Sequence, residues 1–281
     1  MNDKTIIARN LLILGQLRDI DEAAARINLE LILLKGAALI ELEPDYAARR
    51  VMDDADLLVR PRDRKKLKLM LGSLGYQPAP HDPNALFHPQ KEAPIDISSE
   101  IFYTDKAQFE RLWENSKAAA SSFTSIFMLE PEELLVHLFA HAAVHHAEIT
   151  QHWRSDIQLA ESLSGRIKWD KFHEKIIEYG LKEAWDVFNG QLPSTLRGMF
   201  YKLLLSRAVP AKGFIAIFLY SRSWKKALFV AEELFPSSEF LKDRYGLRNR
   251  LEIFVFRVLR PLIILWEALV LFSRFLSRLF V

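Results

Sequence analysis

The hydrophobic residues follow two different periods along the chain. Over residues 4–27 they recur every three or four positions, which is typical of an amphipathic helix packed on a core. Residues 31–34 form a continuous apolar run, and residues 54–59 form a second run headed by two aspartates; both predict buried strands. Residues 95–98 alternate apolar and polar side chains, which predicts a half-buried strand.

The chain from residue 129 onward has a helical pattern instead. Pro131 followed by two glutamates suits the first turn of a helix, where proline is tolerated and acidic groups meet the positive end of the helix dipole. Strands followed by helices indicate an α+β architecture with a separate all-α part. Further helices are predicted over residues 153–163, 169–179, 181–188 and 192–235. The predicted domains are residues 1–128, 129–248 and 249–281.

The last of these segments has an unusual distribution of charge. Six of its seven charged side chains fall on one narrow stripe of a predicted helix, and nearly all other positions are apolar. Its longest stretch without arginine is shorter than the roughly 20 residues that span a bilayer. Three interpretations stay open: packing against the body, pairing with another protein chain, or lying in a membrane interface with the arginines at the headgroups. The stripe consists of Arg250, Arg257, Arg260, Glu267, Arg274 and Arg278.

Composition narrows the classes of function. The chain has 281 residues, enough for a sizeable core, and its net charge of +2 gives no overall signature of polyanion binding. The basic segment 62–74 predicts a helix with a solvated charged face. Cysteine is absent, which excludes disulfides, a thiol nucleophile and cysteine-based zinc sites. The first residues do not resemble a signal peptide, so we expect a cytoplasmic protein, with membrane association through residues 249–281 left open.

The candidate chemistry begins with Asp54 and Asp56. Residues two apart on a strand point to the same face, so the two carboxylates are expected side by side. Adjacent like charges are costly unless a cation lies between them. Mg²⁺ binds carboxylate oxygens together with substrate phosphates. The pair therefore predicts a metal-dependent nucleotide site.

Two further features of the predicted sheet belong to this hypothesis. Lys35 and Gly36 follow the first strand at a turn into a short helix, where backbone N–H groups can meet a phosphate. Asp96, on the third strand, is either a third metal-binding carboxylate or an ordinary exposed strand residue.

Histidines cluster on the helix that follows Pro131. His137, His141 and His145 are spaced four apart and share one face, with His146 and His152 nearby. The glutamate of the zinc-protease motif is missing, so these residues are interpreted as helix-face or substrate-facing histidines, with a metal site as the alternative.

These residues together resemble a known family. An apolar strand ends in Leu34-Lys35-Gly36, and after a loop comes Arg50, then Asp54-Ala55-Asp56. A strand aspartate follows, then a segment with His137 and His141, then a helix with Asp156. This ordered set is similar to the uncharacterised bacterial nucleotidyltransferase family of the DNA polymerase β-type superfamily, over roughly residues 5–250.

The resemblance implies a small mixed β-sheet domain, a helical domain and a transfer reaction. A nucleotidyl group would pass from an NTP, with Mg²⁺ or Mn²⁺, to an acceptor that is a protein, an RNA, a sugar or another small molecule. Asp54 and Asp56 would hold the metal ions, and Asp96 would complete the site and help to activate the acceptor hydroxyl. The phosphates would be bound by Lys35, Gly36 and Arg50. The cleft would be lined by His137, His141 and Asp156.

The chain also departs from the family pattern. The family places His-Trp after the third acidic strand residue and one aliphatic residue, whereas this chain has Ser98-Ser99. The difference predicts a changed acceptor pocket or weakened catalysis. Two alternatives to an active nucleotidyltransferase stay open. One is a catalytically weak or inactive protein that keeps the fold and docks a partner or membrane through residues 249–281. The other is a metal-dependent phosphohydrolase that uses the same acids.

Overall fold

The computed structural model describes residues 3–80, 82–118, 122–148, 150–162, 167–206, 212–221 and 234–279. The described residues divide into two compact units. The first unit is drawn from residues 1–101, 106–134 and 162–167, and the second from residues 102–105, 135–161 and 168–281.

A six-stranded sheet forms the centre of the first unit. Its order is β3-β4-β5-β2-β1-β6. The β2–β5 and β1–β6 pairs are parallel and the other three pairs are antiparallel, so the sheet is mixed, as the resemblance implied. The central strands β1 and β2 are buried along their whole length. The strands are β1 (Leu31–Leu33), β2 (Ala55–Leu58), β3 (Gln77–Ala79), β4 (Asp82–Phe87), β5 (Ile95–Ser98) and β6 (Ile126–Met128).

Four helices accompany this sheet. The long first helix and the basic helix are found where the hydrophobic pattern predicted them, and Gly75, with a φ of 93°, follows the last turn of the basic helix. The fourth helix and β6 had no clear signal in the sequence. The helices are α1 (Asp3–Arg26), α2 (Lys35–Leu42), α3 (Arg64–Ser73) and α4 (Lys106–Ala118).

Three buried polar residues of α1 hold the loops that surround the sheet. The Asn10 amide donates to the carbonyls of Ala47 (2.9 Å) and Arg50 (2.6 Å). The Gln16 amide donates to the carbonyl of Ala93, at 2.7 Å, just before β5. The Asp21 carboxylate accepts three backbone N–H groups at the start of β6, from Thr124, Ser125 and Ile126. Because these buried loop groups find partners on α1, the helix fixes the loop that carries Arg50 and the start of two strands.

The described part of the second unit contains helices joined by loops and no strand. Its first helix was predicted to continue through residue 146, but the hydrogen bonding changes to a π-helical pattern over Ala140–His145. Parts of the predicted helix over 192–235, residues 207–211 and 222–233, lie outside the described residues. The helices are α5 (Pro131–Phe139), which begins in the first unit, α6 (Gln151–Ser162), α7 (Trp169–Glu178), α8 (Lys182–Phe188), α9 (Leu196–Leu205), α10 (Lys212–Tyr220), α11 (Ser238–Tyr245) and α12 (Arg250–Leu279).

Helix α12 turns Arg257 and Arg260 toward the preceding segment. The Arg257 guanidinium donates to the carbonyl of Pro236 at 3.3 Å, and Arg260 donates to the Tyr245 hydroxyl at 2.6 Å. The other side of the helix carries exposed apolar side chains. Among the described helices, none is long and apolar enough to cross a membrane. The exposed residues include Leu251, Phe254, Val255, Val258, Leu259, Leu262, Ile263, Leu265, Trp266, Leu269 and Phe272.

Candidate active site

The centre of the candidate site is a buried ion pair. Asp56 lies on β2, and its side chain is only 6% exposed. The Nζ atom of Lys35 lies 2.5 Å from Asp56 Oδ1. Lys35 is the first residue of α2 and is separated from the end of β1 by Leu34, whose N–H donates to the Asp56 carbonyl at 3.0 Å. The antiparallel β1–β2 pair therefore brings the lysine to the aspartate.

Lys35 adopts a backbone conformation that is uncommon for a residue with a side chain. Its φ is 49°, in the left-handed region. Such a conformation costs on the order of 1 kcal/mol and persists where surrounding structure enforces it. The sequence pointed to Gly36 as the special backbone position, but the left-handed residue of this turn is Lys35.

Asp96 lies beside Asp56 in the sheet. The two residues are register partners on the parallel strands β2 and β5. Neighbouring strands lie about 4.8 Å apart, and partners in register point to the same face. Asp96 is half-buried, in the alternating burial pattern that the sequence predicted for β5.

Asp54 lies just outside the strand. β2 begins at Ala55, so the expectation that both aspartates of the pair lie on the strand was wrong for Asp54, which is exposed. A strand starts only where its backbone joins the ladder, and the first bond here runs from the Ala55 N–H to the Pro94 carbonyl. Asp54 nevertheless acts on the site, because its charge contributes to raising the pKa values of Asp56 and Asp96.

The carboxylates of the site carry more negative charge than their surroundings favour. Burial raises the pKa of Asp56 to about 7, against the opposing effect of Lys35, and Asp54 and Asp96 add to the rise. Burial also raises the pKa of Asp96. For Lys35, burial disfavours the ammonium, yet Asp56 and the other two aspartates raise its pKa above the usual value. An added cation with a preference for hard oxygen ligands would relieve this repulsion, and Mg²⁺ and Mn²⁺ fit that donor set.

Arg64 is a residue of this site that the sequence did not single out. Its guanidinium donates to the Ile97 carbonyl and to Ser99 Oγ, both at 3.1 Å, and to Asn84 Oδ1 at 2.6 Å. Burial lowers the pKa of Arg64, and the charge of Asp96 opposes that shift. In the sequence Arg64 is one member of a basic run, and nothing in its spacing separates it from solvated neighbours.

Arg50 and Gly36 are in close contact. A Cβ atom at Gly36 would lie 3.1 Å from Arg50 Nη2 and 3.3 Å from Cζ. The glycine therefore leaves room for the guanidinium against the first turn of α2, while Asn10 holds the Arg50 carbonyl. A proposed contact of Gly36 with phosphate stays a prediction.

The residues that were expected to line the cleft belong to the second unit; they are His137, His141 and Asp156. His137 Nδ1 lies 3.4 Å from the Tyr103 hydroxyl, and the His137 and His141 rings stack with centroids 6.4 Å apart. Asp156 is buried on α6. Their predicted place in a cleft with the aspartates stays a prediction.

Comparison with protein families shows that the class of this protein is a nucleotidyltransferase family. Residues 2–187 match the family described as uncharacterised nucleotidyltransferase, so the chain belongs to that family. The matched range includes all the candidate site residues.

Solved structures give distant similarities. The crystal structure of ANT(2")-Ia in complex with adenylyl-2"-tobramycin is 16% identical, with a TM-score of 0.43, and the match covers 60% of this chain and 97% of that one. The solution structure of the antibiotic-resistance factor ANT(2'')-Ia is 17% identical, with a TM-score of 0.43, and the match covers 67% of this chain and 97% of that one. No protein with a curated description matches the chain.

Proposed function

We propose that this protein transfers a nucleotidyl group from an NTP to an acceptor hydroxyl with the help of Mg²⁺ or Mn²⁺. The observation that carries the proposal is the register pair of Asp56 and Asp96, with Asp54 beside them, in a chain of a nucleotidyltransferase family. Three clustered carboxylates, of which only the buried Asp56 is paired with a lysine ammonium, suit a divalent cation.

Asp54, Asp56 and Asp96 would hold the metal. The metal would neutralise charge on the phosphates and lower the pKa of an oxygen bound to it. Exposed Asp54 is free to meet a metal that arrives with its NTP, whereas buried Asp56 anchors the inner side of the site. Lys35, whose ammonium lies on Asp56, would then turn to the phosphates as a second positive charge.

We assign to Asp96 the role of a base that helps to activate the acceptor hydroxyl. Burial raises its pKa, which makes its carboxylate a stronger base than an exposed aspartate. Arg64 is on α3, and its guanidinium contacts the end of the strand that carries Asp96. Its positive charge favours the ionised form of Asp96. Ser98 and Ser99, in place of His-Trp, leave smaller side chains beside this position, which indicates an acceptor different from that of relatives with the bulkier pair.

Arg50 would stabilise the negative charge that develops on the leaving pyrophosphate. Its guanidinium is already oriented against Gly36, and the carbonyl of the same residue is held by Asn10. A positive group that is positioned before the substrate binds loses little free energy by reorganising during the reaction.

The test is nucleotide binding and transfer with a matched pair of aspartate variants. A non-hydrolysable ATP analogue should bind in calorimetry only when Mg²⁺ or Mn²⁺ is present. NTPs labelled at the α-phosphate, offered with RNA, protein, sugar and small-molecule acceptors, should yield labelled acceptor and pyrophosphate. Asp56→Asn should reduce transfer by at least about a hundredfold. Asp53→Asn is the control, because Asp53 is 81% exposed and pairs with Arg9.

Two results would reject this proposal. One is metal-independent binding that Asp56→Asn leaves unchanged. The other is release of inorganic phosphate without any labelled acceptor, which would assign the same carboxylates to a phosphohydrolase.

A second function is favoured by α12, which we propose docks on an anionic membrane surface. Its apolar side chains face away from the segment that Arg257 and Arg260 contact, so packing on that segment does not cover them. Its sequence has five arginines against two glutamates, and Trp266 and two phenylalanines lie among its exposed residues. A basic stripe opposite an apolar side with aromatic residues is the pattern of a helix that lies in a membrane interface.

Liposome flotation tests this second proposal. Wild type should float with vesicles that contain phosphatidylglycerol and much less with neutral phosphatidylcholine vesicles. Leu262→Glu, on the exposed side of α12, should abolish flotation. Leu192→Glu, at a position that is 83% exposed outside this helix, should not. Equal flotation of the two variants would reject the proposal, as would a solution dimer that Leu262→Glu dissociates and that does not float.

A further inference from the structure

Three histidines of the second unit lie close together at the end of the helix that follows Pro131. One ring nitrogen from each of His141, His145 and His146 lies within 4.8 Å of the others. The Nε2 atoms of His141 and His146 are 3.1 Å apart. The ring centroids are 5.1 Å apart for His141 and His145 and 4.8 Å apart for His145 and His146. Three imidazoles therefore converge on one small volume.

The π-helical turn is the reason for this convergence. In an α-helix a residue five positions on is rotated by about 140° from the first and lies on another face. Here the His146 N–H donates to the His141 carbonyl, five residues back, at 3.0 Å. The wider turn returns His146 to the side of His141, next to His145, which is four residues on. The sequence spacing alone had grouped His137, His141 and His145, and it left His146 outside the set.

The turn is held in place by neighbouring helices. The Tyr201 hydroxyl, on α9, donates to the Ala143 carbonyl at 2.5 Å. Gly213, on α10, lies so close to the turn that an added Cβ atom would collide with the carbonyl oxygen of His145. On the other side, the Trp153 ring stacks on His146 with centroids 4.3 Å apart. Contacts of this kind hold ligands in one geometry before a metal arrives.

We propose that His141, His145 and His146 form a binding site for a divalent transition-metal cation of the Zn²⁺ class. The donors are imidazole nitrogens, which suit Zn²⁺, Co²⁺ and Ni²⁺ and are poor ligands for Mg²⁺. Tetrahedral Zn–N bonds of 2.0–2.1 Å place ligand nitrogens about 3.3 Å apart, near the His141–His146 separation. His145 is exposed, so a cation can enter from solvent, and the fourth position stays open to water.

A hydrogen bond between two neutral histidines would account for part of this arrangement. It explains the short distance from His141 to His146. Stacking on Phe102, with ring centroids 6.4 Å apart, also contributes to the position of the His145 ring. Neither contact requires a nitrogen of His145 to approach the other two rings, as a metal site does.

Co²⁺ titration of the full-length protein tests the site. An excess of Mg²⁺ is included throughout to occupy the carboxylates of the first unit. Wild type should bind one equivalent of Co²⁺ and develop the visible absorption bands of a four- or five-coordinate nitrogen site, and Zn²⁺ should displace it. His146→Ala should weaken the affinity by at least about a hundredfold, which is the upper range for loss of an outer-shell partner. His145→Ala should do the same, and its exposed position keeps the fold intact.

The control is His173→Ala, an exposed histidine of α7 that contacts Trp169 and lies outside the cluster. It should leave the Co²⁺ spectrum and affinity unchanged. Zn²⁺ should also raise the melting temperature of wild type and of His173→Ala but not that of His145→Ala. The reason is that Zn²⁺ stabilises the folded state only where it finds an intact site. Absence of the visible bands in wild type would overturn the proposal, and so would equal Co²⁺ affinity in wild type and His145→Ala.

Discussion

The Lys35 ammonium and the Asp56 carboxylate form an ion pair in the interior of the sheet domain, with Nζ 2.5 Å from Oδ1. The pair joins the turn after β1 to the middle of β2, at the position where we propose that a metal binds. The Lys35 ammonium thus fills part of the position proposed for a divalent cation. It also neutralises part of the carboxylate charge that the cation would neutralise. A metal bound as proposed would compete with this ammonium for the same carboxylate.

Substitution of Lys35 should therefore separate metal binding from catalysis. In Lys35→Met we expect Mn²⁺ alone to bind about tenfold more tightly, because a positive charge beside the carboxylates is removed. Nucleotidyl transfer should fall by about a hundredfold, because a phosphate-binding charge is lost. Paramagnetic relaxation measures the first quantity and labelled NTP the second. Lys65→Met, at an exposed position of α3, should change neither; a loss of Mn²⁺ affinity in Lys35→Met would contradict the competition.

Gly36→Ala should affect activity more than stability. The new methyl would press on the Arg50 guanidinium, which must move by a few tenths of an ångström. We expect an approximately tenfold loss of transfer, since small displacements of charged groups are costly in catalysis. The free energy of unfolding should change by less than about 1 kcal/mol, because alanine favours the helix.

The matched glycine is Gly15, an exposed residue of α1. An added Cβ there meets nothing within 4 Å. Gly15→Ala should stabilise the protein by about 0.5–1 kcal/mol with unchanged activity. Denaturant unfolding and NTP turnover on both variants check this pair of predictions, which fails if the two alanines have the same effect on turnover.

Asp21→Ala should strongly destabilise the first unit, which contains the sheet. Its carboxylate accepts the N–H groups of Thr124, Ser125 and Ile126, and the substitution would leave three partly buried donors without that partner. A loss of about 2–4 kcal/mol in the free energy of unfolding is expected. Asp19→Ala removes only the exposed ion pair with Lys91 and should cost less than about 1 kcal/mol. Similar losses for the two variants in urea unfolding would show that Asp21 does not act as this anchor.

The ionised Glu183 side chain should stabilise the second unit at neutral pH and lose this effect at acidic pH. Burial alone would raise its pKa, but hydrogen bonds from Thr195 and Arg197 lower it below the usual value. An acid with a lowered pKa in the folded state contributes full stability above its unfolded value near 4.5, and the contribution disappears as the pH falls through the lower folded value. Glu183→Gln should therefore cost about 1 kcal/mol at neutral pH and progressively less below about pH 4.5.

Thermal unfolding across this pH range, followed by circular dichroism, measures the difference between Glu183→Gln and wild type. Glu174→Gln, on the exposed face of α7, is the control and should change the melting temperature little. A penalty for Glu183→Gln that is equal at neutral and acidic pH would assign the loss to packing instead of charge.

The sequence was most informative where local pattern and burial coincide. The alternation at 95–98 predicted the strand β5 and its alternating burial. The apolar runs predicted β1 and β2 because strands that are covered on both faces need continuous hydrophobic residues. That Asp56 and Asp96 would be register partners does not follow from periodicity, since it depends on which strands pair.

Other features depend on contacts between distant parts of the chain. Asn10, Gln16 and Asp21 look like ordinary polar positions of an amphipathic helix, yet each is buried against a loop. Lys35 could be recognised as basic, but its left-handed φ and its pairing with Asp56 arise only once β1 and β2 have paired. Arg64 is hidden in a basic run for the same reason.

The π-helical turn has a consequence for comparing this chain with its relatives. A turn closed by a bond to the fifth residue back contains one residue more than an α-helical turn, so it is equivalent to a single-residue insertion in an otherwise regular helix. A relative that lacks one residue between His141 and His145 could keep every histidine in an alignment with a gap. Its rings would nonetheless point in different directions. The length of this segment therefore carries information that the identities of its residues do not.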